Sequence, residues 1–199
     1  YALWKKTVTI SYNVNGGSGT ITASSGTLYN AQASVSITLS TTKPSRTGYT
    51  FNGWSTSSTA TSASYQPGTA YSFSNSTTLY AVWGRNSYTV TVNPNGGKYN
   101  NTTSNTPITG GYNTTTTIAN PTPPSGYTVT FNANSGSVSP TSKTSTKSFS
   151  SWSKSGSGSL SGTTYTFGTG DGTLTANYTN NSVTLPTPTK TGYHCTGWY

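Results

Sequence analysis

Acidic side chains are almost missing from this sequence. Asp171 is the one Asp or Glu and His194 is the one histidine in a chain of 199 residues. Glycoside hydrolysis by a pair of carboxylates therefore cannot be built from these residues. A Ser-His-Asp triad would have to use His194 and Asp171, yet the repeat described below gives His194 the slot of Thr50, on the outward face of a strand. We therefore expect no catalytic residues and a protein that is not an enzyme.

Sulfur-containing residues are equally scarce, with Cys195 as the single cysteine and no methionine. One cysteine excludes an internal disulfide framework and a zinc site made of several cysteines. In the repeat described below Cys195 aligns with Phe51, an expected core anchor, so it is expected to be a small buried hydrophobe. Neighbouring residues of a strand point to opposite faces, so Cys195 is not expected to face His194. Asp171 lies in a glycine-rich stretch, 168–172, which is typical of a turn, because one carboxylate is too few for a calcium loop. We expect no metal and no cofactor.

Long apolar runs and helical patterns are also missing. Hydrophobic residues make up 29% of the chain and charged residues only 6%. The sequence contains no segment with the length of a membrane span and none with a sustained 3.6-residue apolar period, so we expect no membrane insertion and little helix. Aromatic residues, at 13%, bury a large area each, which favours small folded modules with thin cores over disorder.

The charge that is present is basic. Ten Lys and Arg residues give a net charge of +9. Lys5 and Lys6 form the one adjacent basic pair, and the remaining cations are dispersed along the sequence. This distribution argues against specific nucleic-acid binding. It leaves a weak, salt-sensitive attraction to anionic polymers as an expectation.

The sequence repeats itself. Residues 7–17 (TVTISYNVNGG) return as residues 88–97 (YTVTVNPNGG), and a shorter version follows at residues 127–136 (YTVTFNANSG). Each copy alternates like a strand and then enters an Asn/Gly turn, where the residues tolerate the positive φ that a tight turn demands. We call these copies the opening strands.

Two further motifs recur. Residues 44–54 (PSRTGYTFNGW) return as residues 188–198 (PTKTGYHCTGW), with a degenerate version at 148–152 (SFSSW). A closing strand at residues 79–83 (LYAVW) has counterparts at 1–4 (YALW) and 174–178 (LTANY). The order of motifs predicts five parts: the end of a preceding repeat (1–4), a complete module (5–83), a divergent or partial repeat (84–125), a compact second module (126–178) and the start of a truncated repeat (179–199). Because the chain opens on a closing strand and stops after a Gly-Trp pair, we expect it to be an excerpt of a longer array.

Together, the three motifs resemble the Listeria–Bacteroides repeat, also called the internalin B-repeat. The resemblance is strongest over residues 5–83 and 183–199 and partial over 84–178. It implies a mainly β fold of tandem, small β-grasp-like modules with little helix. It also implies an extracellular setting, because family members sit in tandem in secreted or wall-attached bacterial proteins and in some phage proteins. The family has no catalytic residues to carry over.

Three functions follow as expectations. The first is a spacer or stalk of a bacterial surface protein that also adheres to cell-wall or host glycans, with the other repeats of its parent chain as partners. The second is a structural phage protein, such as a capsid decoration, head fibre or tail appendage, which would contact other virion proteins. The third is a carbohydrate-binding accessory module of a secreted enzyme.

Four tryptophans are the candidate ligand contacts, since aromatic rings beside Asn and Thr side chains make a plausible glycan surface. Their repeat-equivalent positions favour a role as core anchors instead. The candidates are Trp54, Trp83, Trp152 and Trp198.

Overall fold

The computed structural model describes residues 2–30 and 32–199, which contain strands and turns and no helix. The predicted mainly β fold is thereby confirmed, whereas the β-grasp resemblance stays a prediction. The described part of the chain has no helix of the length and apolarity that a membrane span needs. The strands are β1 (Lys5–Asn13), β2 (Ser24–Tyr29), β3 (Val35–Thr38), β4 (Tyr49–Ser55), β5 (Ala70–Phe73), β6 (Thr77–Arg85), β7 (Ser87–Asn93), β8 (Thr106–Gly111), β9 (Thr115–Thr117), β10 (Thr128–Thr130), β11 (Ser142–Thr144), β12 (Lys147–Gly156), β13 (Ser159–Ser161), β14 (Thr164–Thr166) and β15 (Gly172–Asn180).

The strands follow the alternation of the sequence. In β1, Val8 and Ile10 are fully buried while their neighbour Thr9 is only half-buried. In β7, Val90 and Val92 are the buried pair. Side chains two residues apart share one face of a strand, so each opening strand turns one apolar row towards its core.

The chain divides into two compact units. Unit 1 contains the described residues up to Tyr88 together with Gly111–Asn113. Its main sheet has the order β2-β1-β6-β4, in which β1 and β6 are parallel and the outer pairs are antiparallel. The separate two-stranded antiparallel sheet of β3 and β5 packs against this sheet, and the shared core consists of Val8, Ile10, Ile37, Leu39, Trp54, Phe73, Leu79 and Ala81.

Unit 2 contains Thr89–Gly110 and Thr114–Tyr199. Its main sheet has the order β12-β15-β7-β8, and β15 runs parallel to β7 as β6 does to β1. A second sheet has the order β13-β14-β9. Its fully or almost fully buried apolar side chains are Val90, Val92, Tyr99, Ile118, Phe131, Tyr165, Phe167, Leu174 and Ala176.

The strand pairing divides this half of the chain differently from the predicted boundary at 125/126. The opening strand β7 pairs with the closing strand β15, so one module runs from about 87 to 180. The β10–β11 hairpin is inserted within that module and is joined by the bridge Ser137–Thr189 to the end of the chain. We call residues 127–145 with 183–199 the C-terminal module.

Candidate functional site

The Asn/Gly turn after each opening strand has the same geometry. In the first module, Asn15 has a φ of 47°, its N–H donates to Asn13 Oδ1 at 2.8 Å, and Gly17 N–H donates to Val14 O at 2.9 Å. Asparagine and glycine suit this turn because they accept a left-handed backbone. The equivalent bonds elsewhere are Asn95 N–H to Asn93 Oδ1 at 2.8 Å, Gly97 N–H to Pro94 O at 2.9 Å, Asn134 N–H to Asn132 Oδ1 at 2.9 Å and Gly136 N–H to Ala133 O at 3.0 Å.

An aromatic side chain of the closing strand covers the turn in unit 1. Trp83 Nε1 donates to the carbonyls of Val14 and Asn15, at 3.1 Å each. Its ring lies directly over Gly17, where a Cβ would collide with the ring and come within 2.8 Å of Ser45 O. Glycine is therefore the residue that leaves room for the tryptophan.

The module of residues 87–180, called the second module from here on, forms the same contact with a different aromatic side chain. Tyr178 Oη donates to Pro94 O at 2.7 Å and lies over Gly97, where a Cβ would collide with the phenol oxygen and with Thr122 O. Burial of the phenol raises the pKa of Tyr178 above its ordinary value of 10.0. Trp83 and Tyr178 thus have the same role, because each connects the closing strand to the turn by a hydrogen bond to a turn carbonyl.

The turn asparagine binds the closing strand from the other side. Asn15 Nδ2 donates to Ala81 O at 3.0 Å, and Asn95 Nδ2 donates to Ala176 O at 2.9 Å. Hence each complete module is held at this point by two reciprocal contacts, one from the turn to the strand and one from the strand to the turn. We call this arrangement the turn clip.

The C-terminal module has the turn but not the clip. Its bridge Ser137–Thr189 matches Ser18–Ser45 in the first module and Lys98–Thr122 in the second. Lys190 lies over the Tyr193 ring at 4.7 Å, as Arg46 lies over Tyr49 at 4.0 Å. Within residues 2–30 and 32–199, however, no strand pairs with residues 194–199, where β6 pairs with β4 in the first module.

This recurrent geometry agrees with the comparison to known families. The model of the Listeria-Bacteroides repeat domain matches residues 9–82 and 164–199, which is more than half of the chain. The chain belongs to the Listeria–Bacteroides repeat family. The first match spans the turn, β4 and the closing strand β6 as far as Val82, so the family repeat coincides with most of the module that the turn clip holds together. No curated protein and no solved structure matched the chain.

Three of the four candidate tryptophans, Trp54, Trp152 and Trp198, belong to the Gly-Trp motif or its degenerate version, and Trp83 belongs to a closing strand. Trp54 is fully buried between Tyr12 and Phe51, with ring centroids 4.8 Å and 4.9 Å away, so no face of its indole is open to a ligand. The other three are half-buried. Trp83 covers the turn, Trp152 packs on Phe149, and Trp198 packs on Phe131 at 5.4 Å. Ligand contact by Trp83, Trp152 or Trp198 stays a prediction.

Asp171 and Tyr165 form hydrogen bonds to the backbone of neighbouring turns and strands. Asp171 accepts a hydrogen bond from Thr89 N–H at 2.8 Å, and its own carbonyl accepts from Ser157 N–H at 2.9 Å. Burial, and to a smaller extent the Asp171 carboxylate, raises the pKa of Tyr165, whose Oη donates to Ser157 O at 2.6 Å. In the part of the chain that the structure describes, no three His, Cys, Asp or Glu side chains come together as metal ligands.

Cys195 is exposed, so the expectation of a buried cysteine was wrong. Its equivalent in the first module, Phe51, is half-buried and packs on Trp83 at 5.6 Å between ring centroids. Among the described residues, no closing strand lies beside Cys195 to supply such a neighbour. His194, the adjacent residue, is exposed as expected.

The residues of the turn clip were not singled out from the sequence. The sequence pattern indicates only that Asn15 and Gly17 belong to a turn, and it favours a core position for Trp83. The sequence does contain a signal for the clip, because an Asn, a Gly and an aromatic residue recur at equivalent positions of the two complete modules. A turn needs one glycine for its backbone, so a second glycine with ordinary φ indicates that another group approaches closely.

Proposed function

We propose that this chain is a non-catalytic repeat region of a bacterial surface protein, and that its modules act as a spacer with a secondary adhesive role. The turn clip is the observation that supports the spacer. In both complete modules the repeated polar side chains, Asn15 and Asn95, are bound to backbone carbonyls of their own module. Repeats of this kind add length by stacking similar units rather than by building one central site.

The charge distribution supports the adhesive role. Eight of the ten cations are exposed, while the chain has one carboxylate, which is held by Thr89. Such a surface attracts anionic polymers by long-range electrostatics, and the attraction is screened by salt. The exposed cations are Lys5, Lys6, Lys43, Arg85, Lys98, Lys143, Lys154 and Lys190.

Location is tested on the native source. Its cells are fractionated into wall, medium and purified particles, and each fraction is searched for peptides of this chain by mass spectrometry. We expect the peptides in the wall fraction or the medium. Stoichiometric recovery with the particles would instead establish a structural virion protein and overturn the proposal.

Adhesion is tested with immobilised anionic and neutral polysaccharides at two salt concentrations. We expect binding to the anionic polymer alone, with loss of binding as the screening length falls from about 10 Å at roughly 0.1 M salt to about 3 Å at roughly 1 M. Binding to the neutral polymer that is lost in Trp152→Ala, but not in Thr9→Ala, would favour a carbohydrate-binding accessory module.

A further inference from the structure

Both arginines of the sequence lie at one tyrosine of unit 1. Arg46 and Arg85 are the two arginines of the chain, and the other eight cations are lysines. Arg46 Cζ lies 4.0 Å from the centroid of the Tyr49 ring, and Arg85 Cζ lies 5.9 Å from the same centroid. Each distance is within the range of about 6 Å in which an aromatic ring attracts a cation. Tyr49 therefore holds two guanidinium groups close to one point of the unit.

The first module fixes both arginines in place. Arg85 is the last residue of β6 and pairs with Tyr49 in the antiparallel register of β4 and β6. Arg46 lies in the turn before β4, where its carbonyl accepts a hydrogen bond from Tyr49 N–H at 3.0 Å. Its guanidinium also lies close to Gly16, where a Cβ would be 3.6 Å from Arg46 Cζ. A cation that is held in this way loses little conformational freedom when it binds a ligand.

The two positive charges have no partner of opposite sign in their unit. Unit 1 contains no Asp or Glu, since Asp171 belongs to unit 2. In the described part of the chain, neither guanidinium donates a hydrogen bond, and none of their nitrogens is buried without a partner. Each guanidinium offers five N–H donors in a planar fork. These donors are therefore open to a ligand, and an anion would relieve the repulsion of the two like charges.

We propose that Arg46, Tyr49 and Arg85 form a binding site for the oxyanion groups of an acidic polysaccharide, which assumes the adhesive role proposed above and gives it a defined place. The oxyanion is a sulfate ester or a carboxylate. A guanidinium binds either group through two parallel N–H···O bonds, whereas the ammonium group of a lysine acts as a point charge. The site thus adds short-range, directional contacts to the long-range attraction of the dispersed cations.

Two other Gly-Tyr motifs place a lysine over the tyrosine. Lys147 Nζ lies 5.7 Å from the centroid of the Tyr127 ring, and Lys190 Nζ lies 4.7 Å from that of Tyr193. The position over the ring recurs, but a lysine there lacks the planar fork. We therefore expect these lysines to contribute charge alone, and the arginine pair to contribute most of the specific binding.

The first test measures binding of the 199-residue chain to immobilised dextran, dextran sulfate and carboxymethyl dextran. Arg46→Gln and Arg85→Gln should each weaken binding to an anionic dextran by about tenfold or more, because each removes charge-assisted hydrogen bonds. Lys43→Gln is the matched control, since Lys43 is exposed and its replacement removes the same charge from the same unit. Its effect should be about twofold or less.

Arg46→Lys separates the fork from the charge. It keeps the positive charge and the fold, so dispersed electrostatics predicts unchanged binding, whereas the proposed site predicts most of the loss seen in Arg46→Gln. The anionic dextran that shows the larger loss identifies the oxyanion as sulfate ester or carboxylate. Equal losses in Arg46→Gln and Lys43→Gln would overturn this site and leave the adhesive role intact. Failure of the unchanged chain to bind either anionic dextran would overturn both.

The second test compares two salts at equal ionic strength. Sodium sulfate should release the chain from dextran sulfate at a lower ionic strength than sodium chloride does, because free sulfate occupies the arginine site while the screening length depends on ionic strength alone. In Arg46→Lys the two salts should release the chain at the same ionic strength. Release of the unchanged chain at one ionic strength by both salts contradicts the proposed site.

Discussion

Gly97 and Tyr178 show how a turn glycine can be required for space rather than for backbone freedom. Gly96, one residue earlier, has a φ of 85° and nothing within 4 Å of a Cβ built on it. Gly97 has no such φ, but Tyr178 and the carbonyl of Thr122 fill the volume that a Cβ would need. The aromatic varies between Trp83 and Tyr178 because either side chain can donate to a turn carbonyl, whereas the glycine beneath it has no substitute.

Gly97→Ala is therefore expected to destabilise unit 2. The carbonyl of Thr122 is fixed by its bridge to Lys98, so the added methyl group must displace Tyr178 and weaken its bond to Pro94. Overpacking of this kind costs about 1–3 kcal/mol in the free energy of unfolding, which urea unfolding followed by circular dichroism measures. Gly170→Ala is the matched control, because its Cβ would meet only Ser157 Cβ at 3.5 Å, an ordinary contact. Equal costs for the two variants would contradict the role of Gly97.

Single residues were partly predictable from the sequence. The alternation of β1 indicates correctly that Val8 and Ile10 are core residues, since a strand with one buried face repeats every two residues. The burial of Cys195 was predicted from its alignment with Phe51 and was wrong. The alignment gives the slot of the residue in its own strand, but exposure depends on the strand beside it, which the local sequence does not contain.

The closing strand is the element on which each complete module depends. It lies inside its sheet, parallel to the opening strand on one side and antiparallel to the Gly-Trp strand or its counterpart on the other. The same holds for β15 between β7 and β12. Since parallel neighbours need a long connection, the closing strand comes late in the sequence and meets an opening strand formed many residues earlier. The turn clip fixes its register.

Asn95→Gly tests the clip at this scale. Glycine keeps the positive φ of 48° but removes the bond from Asn95 Nδ2 to Ala176 O. We expect a loss of about 1 kcal/mol in the free energy of unfolding, together with faster amide exchange in β15. Asn134→Gly is matched in backbone, with a φ of 44°, and lies in the module where the described residues include no closing strand. It should change stability much less. A similar loss in both variants would show that the asparagine acts through the turn alone.

Which strands pair with each other could not be predicted from the sequence. Residues 127–136 resemble an opening strand and behave as one, because β10 pairs with β11 as β1 pairs with β2. The interpretation that this strand opens the module ending at Tyr178 does not match the pairing, since β15 joins β7 instead. Alternation fixes which face of a strand is buried, but it carries no information about which of two similar opening strands a closing strand will join.

At the scale of the whole molecule, sparse apolar composition is compatible with folding because each unit collects its apolar residues in one place. Unit 1 builds its core around Trp54, and unit 2 fully buries Leu174 of β15, the strand that lies between β7 and β12 in its sheet. A low hydrophobic fraction of 29% is enough when the buried side chains include large aromatic rings. The stability of the chain then resides in two separate cores.

We expect the two units to unfold in two separate thermal transitions. Trp54→Ala removes the central ring of unit 1, for which a large-to-small change costs about 3–5 kcal/mol, and it should lower the temperature of one transition only. Leu174→Ala removes a fully buried side chain of unit 2, at about 2–5 kcal/mol, and it should lower the other. Scanning calorimetry of both variants and of the unchanged chain makes the comparison. A single transition that both substitutions shift equally would show that the units unfold as one cooperative body. If the two cores were independent, a substitution in one would leave the transition temperature of the other unchanged.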